Sequence, residues 1–165
     1  MRNNTKKLTM LAMMISFALI LSYVESRVPA FVAIPGVKVG LANIAVIFVL
    51  YKMGTKSAIV ISLVRVVVVS MLFGSAVSLI YSLMGAIFSL TVMVLLKKLT
   101  PLKEVTVSVS GGIMHNVGQI VAASFLLETN VVVYYLPFLI LSGTIAGIVI
   151  GAAAALLIKR VKIEK

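Results

Sequence analysis

The chain of 165 residues contains no cysteine and no aspartate, one histidine (His115), and only four acidic side chains, Glu25, Glu104, Glu128 and Glu164. Without cysteine there can be no disulfide, zinc–thiolate site, iron–sulfur ligation or thiol nucleophile. A lone histidine cannot supply the paired axial ligands of a membrane haem. With no aspartate or cysteine to join it, no metal site can be completed either. Neither a metal nor a cofactor is therefore expected. Charge of any kind is scarce: 12% of residues are charged and 62% are hydrophobic, with a mean hydropathy of +1.22. Soluble domains are about 45–50% apolar, and a water-soluble fold of this length could not hide the excess. The solvent for most of this chain is lipid.

Six apolar segments follow in order, at about 8–24, 39–51, 57–72, 76–96, 105–127 and 133–158. They predict an all-α integral membrane protein, a compact single-domain bundle of six transmembrane helices. Arg2, Lys6 and Lys7 ahead of an apolar run also describe a signal peptide, with a weak cleavage motif at Val28-Pro29-Ala30. A signal core is usually about 7–15 residues, shorter than this run, and is not followed by charges such as Glu25 and Arg27. The segment therefore reads as a retained first helix. The second run, Val39 to Tyr51, is about 20 Å long as a helix, short for a hydrocarbon core of about 30 Å. Phe73-Gly74-Ser75 and Glu128-Thr129-Asn130 read as turns, and Lys97 to Glu104 as a wet basic loop. Gly111-Gly112 predicts a break in the fifth helix.

The net charge of +11 would suggest nucleic acid in a soluble protein, but its distribution argues otherwise. With the N-terminus cytoplasmic, 12 of the 15 basic residues fall on inside segments, leaving Arg27 and Lys38 outside and Arg65 within a helix. This is the positive-inside asymmetry of an even number of spans with both termini cytoplasmic. Juxtamembrane lysines of this kind favour anionic membrane lipid, so no nucleic-acid partner is expected.

Against this background the polar residues stand out. Ile34-Pro35-Gly36-Val37-Lys38-Val39-Gly40-Leu41-Ala42-Asn43-Ile44 places a turn, a cation, a bare backbone position and an amide in one short run. Irregular chain at membrane depth lines a cavity or is covered by protein; an ordinary outer loop entering the second helix fits the same residues. Arg65 lies about nine residues into its helix, too deep to reach the interface easily, with Ser62 one turn away. Such a charge costs about 2.5–3.5 kcal/mol at mid-helix. It either faces a cavity as a fixed cation for an anionic group or is neutralised within the fold. His115, Asn116 and Gln119 share one side of the fifth helix, as ligand contacts or as interhelical hydrogen-bonding glue. Ser78, Ser82 and Ser89, with Tyr81 and Gly85 among them, favour close helix packing over a cavity wall. Gly143, Gly147, Gly151 and Ala155 recur every fourth residue, as do Ala12/Ser16 and Ala18/Ser22, all packing signals. Glu25, Arg27 and Glu128 are expected in the outer interface, near the mouth of any site.

Six short helices with cytoplasmic ends, a small-residue first helix and the run Ile34 to Ile44 together resemble one membrane family. It is known as Gx transporter or, by an older label, heptaprenyl diphosphate synthase component I. That family in turn resembles the substrate-binding S components of energy-coupling factor (ECF) vitamin transporters, and the likeness covers nearly the whole chain. In S components the first outer loop and neighbouring helix ends close over a small molecule. The small face of the first helix docks on a transmembrane coupling subunit driven by ATPases. The resemblance thus implies an S-component-like bundle in which Pro35, Gly36, Lys38, Gly40 and Asn43 belong to the gate and site. It puts Ala12 and Ser16 on the docking face, although Ser16 stands where alanine is usual. Prenyl diphosphate synthases resemble one another through aspartate-rich magnesium motifs, and this chain has no aspartate. It is therefore not expected to be an enzyme by itself.

The sequence thus predicts a multi-pass cell-membrane protein that binds a small molecule, vitamin-like or quinone/isoprenoid-like, from the outer side. Pro35, Gly36, Lys38, Gly40, Asn43, Arg65, His115, Asn116 and Gln119 are the expected site, within an ECF-type uptake system. The alternative is a non-catalytic membrane subunit linked to isoprenoid or quinone metabolism or to electron transfer, with a prenyl tail in the apolar interior. A purely structural assembly partner is a third possibility and predicts no ligand.

Overall fold

The computed structural model describes residues 2–27, 40–129 and 131–161, with side chains at the start from residue 5 onward. Pro35, Gly36, Lys38 and the turn residue Asn130 lie outside the described residues. Six α-helices follow one another: α1 (Arg2–Arg27), α2 (Asn43–Lys52), α3 (Thr55–Phe73), α4 (Ala76–Leu99), α5 (Glu104–Leu127) and α6 (Leu136–Arg160). A 3-10 turn, Val131–Tyr135, leads into α6.

Local signals set several of the ends. Ser75 caps α4: its hydroxyl accepts the Ser78 N–H at 3.1 Å, and the Ser75 N–H is bonded in return by the Ser78 hydroxyl. This capping box satisfies donors that a helix start would otherwise leave bare. Pro137 sits in the first turn of α6, where its missing N–H costs nothing. Glu128 ends α5 in a left-handed conformation (φ 49°).

Four stretches are long and apolar enough to cross a membrane on length and composition, Thr5–Arg27, Thr55–Phe73, Ala76–Leu99 and Val131–Arg160. Their outward faces are largely apolar, with Leu8, Ile20, Met71, Leu141 and Leu156 among the exposed side chains. A surface of that kind belongs to a membrane protein.

Two expectations are corrected. The second helix starts at Asn43 rather than 39, and it does not face lipid. Its consecutive residues Ala45 to Leu50 are all buried, wrapped by α1, α3 and α6. A helix apolar on every side belongs in an interior, and α2 is the core of this bundle. Secondly, Gly111 and Gly112 do not break α5, which runs unbroken through both. They instead allow close approach: a Cβ on Gly112 would lie 2.5 Å from the Gly143 carbonyl oxygen of α6. The Gly143–Gly147–Gly151 ladder packs on α5 as its spacing predicts, each position resting within contact of α5 backbone. In α1, Ala18 and Ser22 turn inward while Ala12 and Ser16 are exposed. The Ser16 hydroxyl donates to the Ala12 carbonyl of its own helix at 3.1 Å.

One end of the bundle is basic and closed. There Lys97 donates to the Leu50 carbonyl at the end of α2 and lies 5.0 Å over the Tyr51 ring. The Tyr51 hydroxyl donates to the Leu102 carbonyl at 3.1 Å. Lys52, Lys56, Lys98 and Lys103 flank the same helix ends.

Candidate functional site

The other end of the bundle holds a cavity of about 600 Å³. Its walls are the C-terminal halves of α1 and α3, the N-terminal half of α2, α5 along most of its length from Ser108 to Leu127 and, mainly, the N-terminal halves of α4 and α6. From α3 come Arg65, Val66, Val69, Ser70 and Phe73, whose spacing marks one helix face. From α5 come Ser108, Gly111, Gly112, His115, Asn116, Gln119 and Ala123, again at helical three- and four-residue intervals. The volume fits a pocket for a drug-sized ligand, which usually measures about 300–1,000 Å³.

All six expected site residues that are described, Gly40, Asn43, Arg65, His115, Asn116 and Gln119, line this one cavity. They come from α2 with its entry, α3 and α5, so it is the fold rather than proximity in sequence that gathers them. Gly40 has φ +78°, a left-handed backbone that side chains disfavour. Its carbonyl accepts the Asn43 N–H at 2.8 Å, starting α2. Its own N–H donates to the Glu25 carboxylate at the end of α1, tying the entry of α2 to the rim of the cavity.

Arg65 is half-buried, and its Nε is fully enclosed without a hydrogen-bond partner among the described residues. Ser62, one turn away, is buried and stays out of the cavity wall. Glu25 lies within electrostatic reach of Arg65. Asn116 serves both uses considered for it: it lines the cavity, and its Nδ2 donates to the Leu139 carbonyl of α6 at 2.6 Å. The His115 ring lies flat against Gly85 of α4, where a Cβ would stand 2.8–2.9 Å from its atoms. Among the described residues, no three His, Cys, Asp or Glu side chains gather as a metal site.

The serine stripe of α4 is a correction. Ser78, Ser82 and Ser89 line the cavity instead of serving only helix packing. With Ser22, Ser26, Ser70, Ser75, Ser108 and Ser142 they make nine cavity serines, a hydroxyl-rich wall of which the sequence offered only the α4 stripe, as the less favoured reading. Glu25, expected at the mouth, is part of the lining itself, together with Tyr81 and Tyr135. The signal was available in α1, since Ser22, Glu25 and Ser26 share one face at the end of an otherwise apolar helix. Ala12 and Ser16 lie outside the cavity, on the exposed side of α1.

A family model described as heptaprenyl diphosphate synthase component I matches residues 14–157. The chain belongs to that family. No curated protein matches it significantly, and no solved structure does either.

Proposed function

We propose that this member of the heptaprenyl diphosphate synthase component I family captures a small molecule from the outer side of the cell membrane. In this reading it acts as the substrate-binding subunit of an ECF-type uptake transporter. It crosses the membrane six times with both termini cytoplasmic. The observation that carries the reading is the cavity: it gathers Arg65, His115, Asn116 and Gln119 from mid-helix toward the end of the bundle opposite the basic helix ends. Basic ends stay cytoplasmic, so the cavity faces out. Pro35, Gly36 and Lys38, adjoining Gly40 in sequence, form its gate. The exposed Ala12–Ser16 face of α1 docks on a transmembrane coupling subunit with ATPases. Ligand binding shifts the population from outward-open to occluded states. The protein performs no catalysis by itself and needs no metal or cofactor.

The family name favours a second reading, a non-catalytic membrane component of a prenyl synthase assembly holding a quinone or prenyl compound. Purification from the native membrane in mild detergent, with native mass spectrometry, separates the two. A coupling subunit with ATPases and a small bound ligand is the expected result. Prenyl-synthase or redox proteins, with a lipid or quinone bound, would overturn the transport reading.

A further inference from the structure

The charges in the cavity limit what it can hold. Arg65 is the only lysine or arginine among the described lining residues, and Glu25 is the only acidic one. A guanidinium offers five donors in a planar fork suited to a carboxylate. Here the Nε is enclosed with no partner among the described residues, and an enclosed donor left unpaired is costly. The rest of the guanidinium lines the cavity, where an anionic ligand group supplies the countercharge and acceptors it can reach. Glu25 offsets part of that cation's field while one of its oxygens is committed to the Gly40 N–H. The remaining polar lining is mainly neutral hydroxyl and amide, which orients a ligand without adding countercharge.

We infer that the cavity takes a small organic monoanion of the carboxylate class, seated on Arg65, and that Glu25 disfavours a second negative charge beside it. A diphosphate, which carries several charges and is ordinarily held by clustered cations or by magnesium on carboxylates, does not fit. Glu25 is thus a specificity-determining residue. Its carboxylate repels a second anionic group and leaves the pairing of the first with Arg65 intact. The inference rests on the cavity being the ligand site, as proposed above, and adds the ligand's charge class.

Thermal unfolding of the full chain in detergent tests this, using benzoate as the monoanion, benzamide as its neutral isostere, terephthalate as the dianion and inorganic pyrophosphate. Ionic strength and pH are matched across the probes. Benzoate at tenfold its Kd is expected to raise Tm by about 4 °C, and the other three probes to leave it unchanged. Arg65→Gln removes the benzoate shift and Arg65→Lys retains part of it. Glu25→Gln, which keeps an acceptor for Gly40, extends the shift to terephthalate. A wild-type shift with pyrophosphate or terephthalate as large as with benzoate would overturn the inference, as would a benzoate shift that survives Arg65→Gln, or no benzoate shift at all. If Arg65→Gln fails to fold, the wild-type comparison and Glu25→Gln still decide. A neutral or polyanionic ligand recovered from the native membrane would remove this charge assignment and leave the capture reading standing. Recovery of neither ligand nor coupling subunit would remove the capture reading while the benzoate result stood.

Discussion

Gly112→Ala puts the packing that shapes the cavity to the test. In an ordinary exposed helix position, replacing glycine by alanine stabilises by about 1 kcal/mol. Here the sign should reverse. The new Cβ would stand 2.5 Å from the Gly143 carbonyl oxygen and 3.3 Å from its carbon, both main-chain atoms that cannot swing aside. Ordinary contact begins near 3.4 Å, so α5 and α6 must part by roughly 0.9 Å at this point. One turn along, Asn116 Nδ2 donates to the Leu139 carbonyl at 2.6 Å. The same separation would stretch that bond to roughly 3.5 Å, the edge of what counts as one. Overpacking costs about 1–3 kcal/mol and the weakened interhelical bond about 0.6 kcal/mol more. After the propensity gain, a net loss of about 1–3 kcal/mol remains, lowering Tm by roughly 3–10 °C for a chain of this size. The chain has no tryptophan, so far-ultraviolet circular dichroism of the detergent-solubilised protein is the suitable readout. Ala152→Leu, on the exposed side of the same α6, is the control and should move stability by less than about 0.5 kcal/mol. A Gly112→Ala protein as stable as its parent would mean that α5 and α6 do not meet here, and the cavity geometry would fall with that contact.

For Gly85→Ala the nearest atoms to the new Cβ are those of the His115 ring, at 2.8–2.9 Å, and a side chain can move. Stability should change by less than about 1 kcal/mol, while occupancy of the native ligand, read by native mass spectrometry, falls about tenfold; unchanged occupancy would take His115 out of the site. Asn116→Ala should lower Tm by about 2–4 °C through loss of its bond to Leu139, and a Tm within error of wild type would mark that bond as energetically silent. Gly40→Ala forces a side chain into a left-handed backbone and sets its Cβ 3.1 Å from Asn43 Nδ2, so it should cost about 1–3 kcal/mol by thermal unfolding. Ala12→Leu combined with Ser16→Leu changes exposed positions only and should leave Tm alone while abolishing co-purification of the coupling subunit. Retained co-purification would move the docking face elsewhere.

How much of this was legible in the sequence follows from the cost of each residue in lipid. Arg65, His115, Asn116 and Gln119 stood out because a charge or amide in an apolar helix needs a polar surrounding. The 115–116–119 spacing then fixed a shared face without any knowledge of the fold. The α4 serines read as packing rather than as a cavity wall, because a helical hydroxyl can satisfy itself on its own backbone. Ser16 does so on Ala12, Ser110 on Thr106 and Thr144 on Ile140. The sequence pattern of a serine bonded in this way is the same as that of one lining a cavity. Glu25 reads as near the mouth but not in the wall for another reason: its partner, the Gly40 N–H, is 15 residues further on and belongs to a different helix entry. The least legible element was α2. Hydropathy cannot tell a helix surrounded by lipid from one surrounded by protein, since both are apolar on every side. Length can. The ten residues of α2 reach only about 15 Å, half of a hydrocarbon core of about 30 Å. Lipid on all sides of so short a helix would leave its polar ends in hydrocarbon, so its neighbours must enclose it. The segment that looked like the weakest span is the one the other helices are packed around.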